Sequence, residues 1–454
     1  MRIGPDKVFL SSHRPPPDRD PLQDKTLDSA HLSASLREAV VDTVHSGAEY
    51  ATSLELRKAV EGRSGQSLQE VCERHPNFLP ALLAAEREHP PLRGPAIARA
   101  DLARAGELSF ETKDGQVYAV IATSLSELLA GNPRAAQIAE DYAAQDIPLK
   151  LTVPMGQANC DALPESAQRA LVAWRLAGLD QTTVFLHGFQ SNKEIWDGTT
   201  PAWLGPNSLG VALDGFGSDG SARTDGSAPY TPRQYAFQVF ECLDALGFLS
   251  QGPLKVVGHS MGGAAAGELA VALDKAGHAG PASFHLLAPA CSPDSTPFFQ
   301  PHRDLVNGVL VGCLWVPLGA WDLTAPLIQW TDESLPALSR LVVDHSLGLK
   351  DAPEEIREHN AGYYRRSDRP GNFARRDRAY EAMHGMLKQK GIDPGELHQA
   401  SRRYSIQVVN FGADRLVDPQ AVSKLAGGNV TYLHLPGANH NANFDPTTLQ
   451  RILA

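Results

Sequence analysis

A serine lies between two glycines in the segment Gly258-His259-Ser260-Met261-Gly262. The short run LKVV, typical of a buried strand, precedes this segment, and the alanine-rich run AAAGELAVALDKAG, typical of a helix, follows it. A strand that turns this sharply into a helix holds the serine in a strained backbone conformation, and the glycines let strand and helix approach closely. The hydroxyl of Ser260 would then project at the positive end of the helix, and the pattern predicts a nucleophile.

A serine hydroxyl is a weak nucleophile at neutral pH and needs a base. His440 lies in the loop LPGANHNANFDP, after the predicted strand VTYLHL and before the last predicted helix. His187 begins the loop after VFL, where we interpret it as shaping the turn. His259 is held in the turn beside Ser260, and its side chain is expected to point away from that neighbour. His440 is therefore the candidate base.

The imidazole in turn needs a carboxylate that fixes its tautomer and stabilises its charged form. Asp414 follows the predicted strand SIQVVNF, 26 residues before His440, which leaves room for one helix and one strand. Two other carboxylates stay open as candidates. Asp294, which follows HLLAPACSP, is one of them, because the acid can lie after the preceding strand. Asp418 is the other, although Pro419 follows it and we expect it to lie in the next turn.

Acyl transfer also needs hydrogen-bond donors for the oxygen that becomes negatively charged. The backbone amide of Met261, directly after Ser260, is the first candidate. The second is the amide of Phe189 in the loop FLHGFQ, where Gly188 allows the chain to turn. Gly188 is also expected to border the substrate pocket.

The candidate nucleophile, base, acid and amide donors must be held in place by a sheet, and the alternation of apolar and helical segments from Thr183 onward predicts one. Short apolar runs such as LGVALD, LKVV and SFHLLAP alternate with helical segments, which is typical of a mostly parallel sheet covered by helices on both faces. Upstream, LSFETKDGQVYAVIAT alternates around Asp114-Gly115 and predicts a hairpin. The fold class is therefore α/β.

The chain is long enough for more than one domain, and changes in composition and residue pattern divide it into regions. Residues 1–30 are rich in Pro and Asp and predict a loose tail, and residues 31–106 predict a helical N-terminal region. The α/β core occupies residues 107–294 and 404–454. Residues 295–403 predict an inserted helical cap over the strand ends, since the insertion is too long for a loop. Within it, Trp315 and Trp321 either line an apolar substrate pocket or pack the cap's own core.

The segments LHGF, LDGFGSDG, GHSMGG, NFGADRLVDP and PGANH resemble, in order and spacing, the functional loops of the α/β-hydrolase superfamily. They are similar to its oxyanion loop, the turn after its fourth strand, its nucleophile elbow, its acid loop and its histidine loop. The resemblance covers roughly residues 107–454. It implies the α/β-hydrolase fold and the triad Ser260, Asp414 and His440. The chain departs from the superfamily in reaching the HG pair only at His187, and in having a long cap.

Composition narrows the possible partners. The formal net charge of −11 argues against non-specific nucleic-acid binding, because phosphates would be repelled. Five dispersed cysteines form no CxxC pair, which argues against a disulfide framework or a zinc site. The uncharged run LVNGVLVGCLWVPLGAW contains a proline and three glycines and is at the lower limit for a membrane span, so we expect no stable span. With no secretory signal either, we expect a cytoplasmic protein.

The predicted triad and the resemblance together imply a serine hydrolase that needs no metal or organic cofactor. We expect an apolar small-molecule substrate with a carboxylic ester or thioester, cleaved through an acyl-enzyme. Three alternatives stay open: an acyltransferase or cyclase, a hydrolase of carbon–carbon bonds that uses the same triad, and a non-catalytic ligand-binding protein with the same fold.

Overall fold

The computed structural model describes residues 97–142, 144, 146–156, 163–188, 191–215, 231–292, 295, 391–414 and 416–454. Within them the chain forms one sheet of nine strands with helices on both faces. The predicted tail, the predicted helical region up to residue 96 and residues 296–390 of the predicted cap lie outside the described residues.

In chain order the strands are β1 (Glu107–Lys113), β2 (Gln116–Ser124), β3 (Pro148–Gly156), β4 (Gln181–Leu186), β5 (Ser208–Leu213), β6 (Leu254–His259), β7 (Ala282–Leu287), β8 (Ser405–Phe411) and β9 (Thr431–Leu435). Their order across the sheet is β1-β2-β3-β5-β4-β6-β7-β8-β9. The first three strands are antiparallel to their neighbours, and the six strands β4 to β9 are mutually parallel. The predicted mostly parallel sheet is confirmed.

The α-helices of the described residues connect and cover these strands. They are α1 (Leu125–Leu128), α2 (Pro133–Asp141), α3 (Glu165–Ala177), α4 (Thr200–Trp203), α5 (Pro232–Ala245), α6 (Met261–Lys275), α7 (Pro394–Ala400), α8 (Pro419–Ser423) and α9 (Pro446–Leu453). Short 3-10 turns lie at Arg99–Arg104, Lys193–Trp196 and Ala442–Phe444. None of the described helices combines the length and the apolar character that crossing a membrane requires.

The predicted hairpin is present at the antiparallel edge, where β1 pairs with β2. Its two turn residues, Asp114 and Gly115, have φ angles of 51° and 73°. Two consecutive positive φ angles define the turn whose twist matches that of the flanking strands, and Asp-Gly is among the sequences that adopt it most easily.

Side chains of the central strands alternate between two apolar layers. In β4, Val184 and Leu186 pack in the layer that includes helix α6, whereas Phe185 packs in the opposite layer with Trp196 and Phe444. A strand buried on both faces needs apolar side chains at nearly every position, which explains the continuous apolar runs in the sequence.

Arg99 attaches the segment before the hairpin to the amino-terminal end of the parallel strands. Its guanidinium donates to the carbonyl of Gln181, to the hydroxyl of Thr182 and to the side chain of Gln251, at 3.0–3.1 Å. Arg99, near the end of the predicted N-terminal region, therefore contacts the core at the amino-terminal ends of the parallel strands. The candidate site lies at their carboxyl-terminal ends.

Residues 391–403, which the sequence assigns to the cap, pack against helix α6. Lys275 of α6 forms an ion pair with Glu396 of α7 at 2.6 Å. Ile392 lies against Gly267 so closely that a β-carbon on Gly267 would be 2.5 Å from its side chain. This part of the segment therefore packs on helix α6.

Candidate active site

Ser260 occupies the junction between β6 and helix α6. Its φ of 57° and ψ of −119° place a non-glycine residue in a sparsely populated backbone region, at a cost of roughly 1–3 kcal/mol. Three backbone hydrogen bonds hold it there: Ser260 N–H donates to the Leu287 carbonyl at 2.9 Å, and the Ser260 carbonyl accepts from the amides of Ala264 and Ala290 at 3.1 and 3.0 Å. The strained turn expected from the sequence is thus anchored to the end of β7.

The two glycines around Ser260 are required by close backbone contacts. A β-carbon on Gly258 would lie 2.1 Å from the Gly262 carbonyl oxygen. One on Gly262 would lie 2.2 Å from the Leu186 carbonyl oxygen of β4. Both distances are far inside van der Waals contact with backbone, which cannot move aside as a flexible side chain can.

We expect Gly262→Ala to destabilise the protein by about 3 kcal/mol, because the new methyl group overlaps the backbone of β4. Urea unfolding at equilibrium measures the change. Gly205→Ala is the matched control, since a β-carbon there meets nothing within 4 Å. Equal free energies of unfolding for the two variants would contradict this account of the turn.

His440 and Asp414 form a buried pair beyond the carboxyl ends of β8 and β9. His440 Nδ1 lies 2.7 Å from Asp414 Oδ2, and the Asp414 side chain is 2% exposed. The other carboxylate oxygen, Oδ1, accepts hydrogen bonds from the amides of Leu416 and Val417 at 2.8 and 2.9 Å. Because the carboxylate accepts, Nδ1 carries the hydrogen, and the lone pair of Nε2 is left to act as a base.

The loop that carries His440 contacts the turn that carries Ser260 through His259. His259 Nε2 lies 2.7 Å from the His440 carbonyl oxygen, and the centroids of the two rings are 4.7 Å apart. The hydrogen bonds of the described residues do not include one between Ser260 Oγ and His440 Nε2. Such bonds are often long before substrate binds and shorten in the reacting complex.

The loop after β4 lies directly beside Ser260. A β-carbon on Gly188 would lie 3.1 Å from Ser260 Cβ and 3.6 Å from Oγ, so the missing side chain keeps the space next to the hydroxyl open. His187 is fully buried: its Nδ1–H donates to the Gly188 carbonyl, and its Nε2 accepts from the Gly215 amide, both at 2.8 Å. His187 therefore connects this loop to the end of β5.

Stability is expected to fall as His187 is forced to take a proton. Burial lowers its pKa from 6.5 to about 4 and outweighs the opposing hydrogen bond to Gly188. The folded state thus favours the neutral ring, so this stabilisation is complete above pH 6.5 and is lost as the pH falls towards 4. Between pH 7.5 and 5 the loss is about 2 kcal/mol.

Urea unfolding of the wild type and His187→Gln at these two pH values measures that loss. The decrease on going to pH 5 is expected to be smaller in the variant by about the same 2 kcal/mol, because glutamine does not titrate. Identical decreases in both proteins would show that His187 is not held neutral by the fold.

Of the two oxyanion donors expected from the sequence, Met261 is described and Phe189 is not. Met261 is the first residue of α6, so its amide has no acceptor within the helix and remains available beside Ser260. Phe189, Trp315, Trp321 and the alternative acid Asp294 lie outside the described residues. Asp418, the other alternative, accepts a hydrogen bond from the Gln420 amide at 2.9 Å and caps helix α8.

The contact of His259 with His440 was not expected from the sequence. The signal that could have pointed to it is the period of two along β6, which places His259 on the same face of the strand as Val257.

Asp214 was not expected either. It is fully buried after β5 and accepts hydrogen bonds from the backbone amide and the ammonium group of Lys193 at 2.7 and 3.1 Å. Burial raises the pKa of Asp214 to about 6, against the opposing effect of Lys193.

The described residues contain no group of three or more His, Cys, Asp or Glu side chains arranged to hold a metal ion. The reactive groups that the described residues bring to this region are the hydroxyl of Ser260, the imidazole of His440, the carboxylate of Asp414 and the amide of Met261. They follow the carboxyl ends of the parallel strands β6, β8 and β9, at the end of the sheet where open α/β sheets bind ligands.

Solved structures with a similar fold include the enol-lactonase from Burkholderia xenovorans LB400, which is 15% identical, with a TM-score of 0.37 over 61% of this chain and 92% of that one. A thermophilic esterase from Thermogutta terrifontis is 16% identical, with a TM-score of 0.41 over 61% and 89%. Cfl2 from Burkholderia cenocepacia is 12% identical, with a TM-score of 0.45 over 77% and 98%. None of these similarities bears on the substrate of this chain.

No protein with a curated description matches the sequence significantly. A family model does match it, over residues 183–449, which is more than half of the chain and spans β4 to helix α9. That range contains Ser260, Asp414 and His440. The chain belongs to the alpha/beta hydrolase family.

Proposed function

We propose that this chain is a serine hydrolase that cleaves a carboxylic ester or thioester of an apolar small molecule through an acyl-enzyme. Ser260 is the nucleophile, His440 the general base and Asp414 the acid of the triad. The observation that carries the proposal is the buried hydrogen bond of 2.7 Å between His440 and Asp414, in a loop that contacts the turn carrying Ser260.

The first half of the reaction forms the acyl-enzyme. His440 Nε2 takes the proton of the Ser260 hydroxyl while Oγ attacks the substrate carbonyl carbon. Asp414 stabilises the imidazolium that results, and its own orientation is fixed by the amides of Leu416 and Val417. The imidazolium then gives its proton to the departing alcohol or thiol, and the acyl group remains on Ser260.

The second half repeats these steps with water. His440 takes a proton from a water molecule, which attacks the acyl carbon, and the carboxylic acid leaves as Ser260 recovers its proton. In both halves the carbonyl oxygen becomes an oxyanion, for which the amides of Met261 and Phe189 are the proposed donors. Gly188 leaves the space beside Oγ free for the reacting carbonyl.

The apolar character of the substrate is proposed from the composition of the inserted segment. Trp315 and Trp321 both belong to the long uncharged run, which precedes the described residues that resume at residue 391. Aromatic side chains over the strand ends would bind an apolar acyl or aromatic group better than a charged one.

The proposal is tested by treating the purified chain with a fluorophosphonate probe and by assaying p-nitrophenyl esters of increasing acyl length. We expect covalent labelling of the peptide that contains Ser260, and ester hydrolysis that the probe abolishes. A chain that is folded but neither labelled nor active on any ester would overturn the proposal in favour of a non-catalytic ligand-binding protein.

The same assay separates the remaining alternatives. Adding a competing alcohol or amine diverts the acyl group in an acyltransferase, so that an ester or amide accumulates instead of the free acid. A diketone offered beside the esters is consumed faster than they are by a hydrolase of carbon–carbon bonds. Either result would replace ester hydrolysis as the function while leaving Ser260 as the reactive residue.

A further inference from the structure

His259 is the last residue of β6, and its side chain crosses to the apolar layer that contains Phe444. It lies on the same face of the strand as Val257, two residues earlier, and is 2% exposed. Nε2 lies 2.7 Å from the backbone carbonyl oxygen of His440. Since a carbonyl oxygen can only accept, Nε2 carries the hydrogen and donates it.

The ring of His259 also packs against the segment that follows the carbonyl it binds. Its centroid is 4.7 Å from that of His440, at an interplanar angle of 49°, and 5.5 Å from that of Phe444, at 74°. The side chain of His259 thus contacts both the backbone and the ring of His440. It connects two segments that are 181 residues apart in the chain.

This arrangement leaves the other ring nitrogen without a hydrogen bond. Nδ1 of His259 is buried and has no partner among the described residues. A buried acceptor without a partner is destabilising, and an aromatic or aliphatic side chain would fill the same space without that cost. What histidine adds at this position is the donor at Nε2.

We infer that His259 is a positioning residue for His440: its Nε2–H holds the His440 carbonyl and thereby sets the imidazole against Ser260, the residue next to His259 in the chain. This inference rests on the proposed function. The hydrogen bond fixes the backbone of His440, and the bond to Asp414 fixes its ring, so that two separate contacts determine where Nε2 of His440 lies. A displacement of about 1 Å in such a group can cost about a hundredfold in rate.

The charge of His259 suits this role. Burial, with the neighbouring His440 as the second cause, lowers the pKa of His259 to about 3. The ring therefore stays neutral when His440 takes the proton of Ser260, and no positive charge faces the imidazolium from 4.7 Å away.

Three substitutions test the inference. His259→Gln places an amide N–H where Nε2 is, His259→Asn places one where Nδ1 is, and His259→Phe keeps the ring but removes both nitrogens. We expect kcat to fall about 10- to 100-fold in the Asn and Phe variants, with KM changed less than about threefold, and to stay within about threefold of the wild type in Gln. The rate of fluorophosphonate labelling should follow the same order.

The matched amides keep the test decisive even where the Phe variant does not fold. Equal losses of kcat in Gln and Asn, or a Phe variant as fast as the wild type, would overturn the inference and reduce His259 to a packing residue. Labelling of the wild type distinguishes failure of this inference from failure of the proposed function. If the probe does not label the wild type, Ser260 is not the nucleophile. If the wild type and His259→Phe are labelled equally fast, only the positioning role of His259 is refuted.

Discussion

Ester hydrolysis by Ser260→Ala is expected to be about a millionfold slower in kcat than that of the wild type, with an unchanged thermal unfolding midpoint. The substitution removes the only atom of the side chain that reacts, while the strained backbone at residue 260 and its hydrogen bonds to Leu287 and Ala290 remain. Stopped assays with the best p-nitrophenyl ester, together with differential scanning calorimetry, measure the two quantities. Labelling by the fluorophosphonate probe should be lost as well.

His440→Ala should cause a loss of similar size, and the double variant should be no slower than either single one. The reason is that a nucleophile without its base, or a base without its nucleophile, leaves the same residual catalysis by substrate binding and by the oxyanion donors. Ser109→Ala, on the exposed side of β1, is the matched control and should retain full activity. Independent, multiplicative losses in the double variant would argue against a shared proton transfer.

Asp414→Asn is expected to lower kcat about ten-thousandfold, with little effect on KM. The amide has nearly the shape of the carboxylate, so the chain around it can stay in place. It lacks the negative charge, however, and can present an N–H group to His440 Nδ1, which favours the wrong tautomer. In that tautomer Nε2 of His440 carries a hydrogen and cannot take the proton of Ser260, so the proposed acid–base step fails although the substitution keeps the shape of residue 414.

The alternative acids provide the comparison. Asp418→Asn should keep kcat, because that carboxylate accepts from the amide of Gln420 at the start of helix α8. Asp294→Asn should also keep kcat. Activity that survives Asp414→Asn but disappears with Asp294→Asn would show that the acid lies one strand earlier, after β7. These rates are compared after the active sites have been counted with the fluorophosphonate probe.

The turn around Ser260 and the hairpin at the sheet edge could be predicted from the sequence because both depend on neighbouring residues. Gly258 is required by a contact with Gly262 inside the strand–turn–helix unit, whereas the need for Gly262 to avoid the backbone of β4 arises from the tertiary fold. Asp114-Gly115 meets the positive φ angles of a two-residue turn without help from the rest of the fold. The alternation of apolar strands with helices similarly predicts the parallel sheet, since strands covered on both faces carry mostly apolar side chains.

The choice among equivalent side chains needed the tertiary structure. From the sequence, Asp414 and Asp418 are both carboxylates after β8, and only the fold shows that Asp414 reaches His440 whereas Asp418 caps a helix. The period of two along β6 places His259 on the same face as Val257, but the tertiary fold decides that this face meets His440, 181 residues later in the chain. The sequence alone therefore determined which reactive groups follow each strand. The order of the strands in the sheet decided which of those groups meet. Because β6, β7, β8 and β9 are successive parallel strands, their carboxyl ends lie side by side although they are far apart in the chain.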